Sequence, residues 1–121
     1  MNIEQLREYC IAKKGVTESF PFDETTLVFK VMNKMFLLTG LKSWENREGS
    51  MNVKCNPEKA IALRERYESV MAGYHMSKKH WNTVVLNSDV SDTFAFELVD
   101  HSYDLITKNL TKKLKEELKN L

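Results

Sequence analysis

Glycine is scarce in this chain of 121 residues, with four in all and none clustered. A glycine-rich loop that cradles phosphate with backbone amides is therefore excluded. The two cysteines, Cys10 and Cys55, form neither a CxxC pair nor a close-spaced metal motif. They read as reduced, buried thiols of a cytoplasmic protein. No apolar run approaches the ~20 residues that span a bilayer, so no membrane role is expected. The first ten residues carry Glu4 and Glu8 and lack the apolar stretch of a secretory leader. Excess charge is also missing: 18 basic against 17 acidic residues leave a formal net charge of +1. A protein that coats nucleic acid non-specifically is usually strongly basic, because phosphate neutralisation supplies that affinity. Any nucleic-acid surface must therefore come from local clustering.

What is present is the balance of a folded domain, 42% hydrophobic and 29% charged. The length suits one domain over residues 1–121, with residues 109–121 as a helical tail. Ile3, Leu6 and Cys10 recur at helical spacing and predict a helix over residues 2–14, capped by Asn2 and closed by Gly15. Residues 16–20 read as a short edge strand stopped by Pro21. Residues 26–32 and 35–41 alternate as strands around an Asn33-Lys34 hairpin turn. The polar 43–50 segment connects to a strand over residues 51–55. Asn56-Pro57 starts a second helix, with Ala60, Ile61, Leu63 and Tyr67 inward and Arg64, Glu65 and Arg66 near solvent. Residues 80–86 form a further strand. Ser91 or Asp92 caps the last helix, whose stripe runs through Phe96, Val99, Tyr103, Ile106, Leu110 and Leu114. The tail beyond Thr107 is either a continuation of this helix or a partner-facing extension. The expected fold is α+β: a two-layer α/β sandwich in the order α-β-β-β-β-α-β-α, with a mainly antiparallel sheet and helices on one face.

Chemistry concentrates in residues 73–86, GYHMSKKHWNTVVL. Lys78 and Lys79 on a turn suit phosphates, and an exposed Trp81 beside His80 would stack on a base. The competing reading makes Trp81 a core residue at the start of an apolar strand, and the lysines a solvated bend. Lys30, Lys34 and Lys54 on neighbouring strands extend the basic surface. His75 and His80 are five apart, which suits neither helical nor strand ligand spacing, so no metal is expected. Cys55 alternates with Met51 and Val53 and reads as packing rather than as a nucleophile. Asp23-Glu24 reads as a solvated turn, and Asp100 and Asp104 as helix surface charges. No catalytic residue and no cofactor is expected.

Four segments, PFDETTLVFKVMNKMFLLT, NVKCNPEKAIALRERY, GYHMSKKHWNTVVL and LVDHSYDLI, closely resemble the MmcQ/YjbR family of small bacterial proteins. The resemblance runs from residue 1 to about Lys108. It implies a CyaY-like, secretion-chaperone-like fold and DNA binding through a double-wing motif. Iron handling by analogy with frataxins would need an acidic first helix. Here Glu4 and Glu8 are mixed with Arg7, Lys13 and Lys14, which argues against it. The expectation is a non-enzymatic DNA-binding protein using Lys78, Lys79, His80, Trp81, Lys54, Lys30 and Lys34. The alternative is a protein-interaction or small-ligand module, with Leu110, Leu114, Leu118 and Leu121 as a homodimer seam if the tail leaves the domain.

Overall fold

The computed structural model describes residues 1–46 and 48–121. Position 47, inside the polar 43–50 connection, lies outside the described residues. The elements in chain order are α1 (Ile3–Ile11), β1 (Val16–Ser19), β2 (Thr26–Val31), β3 (Lys34–Gly40), α2 (Leu41–Glu45) and β4 (Ser50–Lys54). They continue with α3 (Pro57–Arg66), β5 (Val70–Ala72), β6 (Trp81–Val85), α4 (Asp92–Lys108) and α5 (Lys112–Lys119). Six antiparallel strands form one sheet in the order β1-β2-β3-β4-β6-β5. The α+β sandwich expected from the alternation is present, with α2, β5 and α5 as additions. Strand β5 has three residues, too few for alternation to register.

Local chemistry sets the elements. Asn2 accepts from Gln5 N at 2.8 Å while Gln5 Oε1 accepts from Asn2 N at 2.8 Å, a reciprocal cap on α1. Asn56 caps α3 by accepting from Glu58 N at 3.0 Å, and Pro57 takes the first helical position. The β2–β3 turn falls on Met32-Asn33, one residue earlier than expected. Both residues are left-handed, with φ of 49° and 64°, as a two-residue hairpin turn of this twist requires.

The core lies between the sheet and α1, α3 and α4. Leu27, Phe29, Val31, Val53 and Val84 meet Leu6, Ala60, Leu98 and Val99 there. A bulge between Phe29 and Lys30 leaves Phe36 as the extra residue, fully buried and edge-on to the Tyr103 ring at 5.6 Å. Buried Ser102 on α4 donates to the Phe36 carbonyl and accepts from Lys54 N at 2.9 Å. One hydroxyl thus fastens the helix layer to β3 and β4. The expectation for α3 needs correction at Ile61, which is 55% exposed, because Ala60 and Leu63 form the inner face.

The tail is a separate helix. The chain breaks at Asn109, and Thr111 recaps it by accepting from Leu114 N at 3.2 Å. Leu110 is buried, Leu118 packs against the core, and Lys14 Nζ donates to the Lys119 carbonyl at 2.7 Å. The tail therefore folds back on the α1–β1 corner instead of extending the α4 stripe, and Leu110 and Leu118 are already spent on this chain's own packing.

A candidate binding face at the basic end of the open sheet

The helices cover one side of the sheet and leave the other open. Register defines that open side: Val28 pairs with Leu38, Leu38 with Asn52, Asn52 with Thr83, and Thr83 with Met71. Two residues along, on the same face by alternation, stand Lys30 opposite Met35 and Lys54 opposite Trp81. Strand β2 ends, β3 begins, β4 ends and β6 begins at this one edge. Lys34 opens β3 there, and the Lys78-Lys79 turn leads directly into β6. The His80 carbonyl accepts from Cys55 N at 2.8 Å, which draws the turn against the end of β4. Residues from three separate segments of sequence, the β2–β3 hairpin, the end of β4 and the turn before β6, thus converge on one end of the sheet. Lys34, Lys78 and Lys79 are exposed, while Lys30, Lys54 and His80 are half-buried. Among the described residues the ion pairs are Met1–Asp92, Arg7–Glu18 and Lys13–Asp100, so none of these five lysines is neutralised by a carboxylate.

The turn that carries Lys78 and Lys79 is held at several points. Gly73 N donates to the Trp81 carbonyl at 2.9 Å, and Trp81 N to the Ser77 carbonyl at 2.9 Å. Tyr74 N donates to Thr83 Oγ1 at 3.2 Å. A Cβ on Gly73 would stand 2.8 Å from the Trp81 Cβ, so this position needs glycine for close approach. From α3, the Arg64 guanidinium reaches the Lys78 carbonyl, the Trp81 carbonyl at 3.3 Å and Asn82 Oδ1 at 2.6 Å. Arg64 is thus half-buried and structural, not a solvent residue as expected. Its partners lie 14 to 18 residues along the chain, a separation that helical periodicity cannot report. Trp81 is only 9% exposed. Its ring belongs to the packing and is not free to stack on a base, which removes it from the expected contact set.

Beyond this basic end, the open face is a groove of about 1020 Å³. Phe22 and Asp23, from the β1–β2 connection, form one wall, and Tyr74, His75 and Met76 form the other. Leu38, Asn52, Thr83 and Val85 form the floor. Phe22 is 66% exposed and Tyr74 74% exposed. His75 holds a left-handed backbone, φ 56°, and its ring lies 4.0 Å from that of Tyr74. The Asp23 carboxylate accepts from Thr25 N at 2.9 Å and Thr26 N at 2.7 Å, which keeps it ionised below the usual carboxylate range and pins the first wall. The groove residues were missed in the sequence because Phe22 and Tyr74 sit in turns with no periodicity. Their one sequence signal is that PFDET and GYHM, two segments of the family resemblance, supply the two walls.

The other reactive side chains are occupied by packing. Burial pushes the Cys10 thiol up to about 12 and raises that of Cys55, the reverse of what a thiolate nucleophile needs. His101 Nε2 accepts from Asn56 N at 3.2 Å, and burial lowers its pKa. Among the described residues no group of three or more His, Cys, Asp or Glu side chains is arranged to hold a metal. No described helix is long and apolar enough to cross a membrane.

The YjbR family model matches residues 11–105. The YjbR protein of Escherichia coli (strain K12) is 36% identical over 103 residues, 85% of each chain. The YbdF protein of Escherichia coli O157:H7 is 32% identical over 94 residues, 78% of this chain and 75% of that one. The crystal structure of a Deinococcus radiodurans protein superimposes with a TM-score of 0.88 at 37% identity, covering 97% of this chain and 87% of that one. A Pseudomonas syringae structure, with a TM-score of 0.74 at 24% identity over 87% of this chain and 98% of that one, speaks to the fold alone. The chain belongs to the YjbR family.

Proposed function

We propose that this member of the YjbR family is a non-enzymatic, cytoplasmic nucleic-acid-binding protein that meets phosphates with the basic end of its open sheet. One observation carries the reading: Lys30, Lys34, Lys54, Lys78 and Lys79 converge on that end, with no carboxylate paired to any of them among the described residues. In a chain of net charge +1 this is the local clustering that a phosphate surface requires. Lysine contacts of this kind fix position and orientation without reading bases. The test is fluorescence anisotropy with labelled DNA across a salt series. The expected slope of log affinity against log salt is about −4, from four or five phosphate contacts at roughly 0.9 each. No binding even at low salt overturns the reading.

The exposed apolar rim of Phe22, Met71 and Tyr74 favours a second reading, an interaction or small-ligand module with no nucleic-acid role. Salt-insensitive binding of an apolar ligand, unchanged in Lys78→Ala/Lys79→Ala, would carry that reading instead.

A further inference from the structure

We infer that the groove on the open sheet face seats the unstacked bases of a single strand, so that the ligand is single-stranded rather than duplex nucleic acid. This rests on the phosphate-binding reading of the sheet end and adds a second, separate site to it. Two requirements of single-strand binding meet here: aromatic faces on which bases stack, and cations beside them that track the backbone. Tyr74 and Phe22 stand exposed on opposite walls, and the left-handed His75 packs against the Tyr74 ring. Between them the floor offers flat apolar contact, from Leu38 and Val85, and the Asn52 side-chain amide nitrogen, while Asn52 Oδ1 and the Thr83 hydroxyl are bonded to each other. From β2 to β5 the face spans four strand spacings, about 19 Å, comparable with sheets that stack two or three bases.

Charge decides which part of the ligand enters. No lysine or arginine lines the groove among the described residues, whereas Asp23 and Glu48 do. Phosphates are thus repelled from the groove and drawn to Lys30, Lys54 and the Lys78-Lys79 turn. A duplex presents phosphate and sugar outward and keeps its bases stacked, so it reaches the lysines but leaves the groove empty. A single strand uses both.

The test uses the full chain, an oligothymidylate of about twelve nucleotides and the matched duplex, at one low salt concentration. The expected results are tighter binding of the single strand, and a loss of about tenfold or more in single-strand affinity for Tyr74→Ala and for Phe22→Ala. Duplex affinity should be unchanged in both variants. These side chains are exposed, so folding should survive, and Tyr74→Phe should restore binding by keeping a stacking face. Equal single-strand affinity in wild type, Tyr74→Ala and Phe22→Ala overturns the groove assignment while leaving phosphate binding standing. Binding of decanoate but of neither DNA overturns both.

Discussion

Arg64 Nε donates to Asn82 Oδ1 at 2.6 Å, and the same guanidinium reaches on to the Lys78 carbonyl. Asn82 is itself buried and donates to the Ala60 carbonyl at 3.3 Å. A helix residue thus fixes, through one planar fork, both the start of β6 and the turn that presents two lysines.

Replacing Arg64 tests that relationship. Arg64→Ala leaves the buried Asn82 oxygen without this donor and should cost about 1–3 kcal/mol of stability. Arg64→Lys should recover little, because a single ammonium cannot span three acceptors. Urea denaturation gives the stability. Hydrogen exchange should show faster exchange at the Trp81 amide, which donates within the same turn. Wild-type stability in Arg64→Ala would mean that the turn holds without it.

The docked tail makes Gly15 sensitive. Its φ is +74°, and a Cβ there would stand 2.5 Å from Leu118 Cδ1. Gly15→Ala combines left-handed strain with a clash that the Leu118 side chain must move to relieve, loosening its packing, and should cost about 1–2 kcal/mol. Amides of residues 112–119 should exchange faster in the variant. Unchanged exchange there would contradict the packing of α5 on the α1–β1 corner.

Alkaline pH should unfold the protein through α1. Burial first, then the hydrogen bond to Asp100, pushes Tyr9 from 10.0 up to about 12, and burial pushes Cys10 from 9.0 up to about 12. Both groups hold their protons more tightly when folded. Their contribution is therefore complete below about pH 9 and is lost as the pH rises to about 12. Denaturation midpoints should fall across that window, and Tyr9→Phe should flatten the fall above pH 10. A midpoint constant from pH 9 to 12 would contradict the burial of both groups.

Most of the fold was legible in the sequence because its signals are local. The caps at Asn2 and Asn56, the alternation of β2 to β4 and β6, and the stripe of α4 each follow from nearest-neighbour geometry. The misplacements also have physical causes. Met32-Asn33 takes the hairpin turn because two successive left-handed residues are needed, and Asn33 alone does not say which neighbour joins it. Thr111 restarts a helix that composition alone joins to α4. For the site, the residue types and the basic end were legible, the sequence offered a core reading of Trp81 beside the binding one, and the role of Arg64 was not legible. Trp81 is buried although it starts β6 opposite Lys54, and Arg64 acts across the chain. The groove needs the sheet to exist before Phe22 and Tyr74 can face each other across it.

The phosphate-binding claim is tested most directly by the salt dependence of DNA affinity in wild type and in Lys78→Ala/Lys79→Ala. Both side chains are exposed, so the double variant should keep wild-type stability. The slope of log affinity against log salt should fall in magnitude by about two, one for each phosphate contact removed. An unchanged slope in a folded double variant would contradict the account.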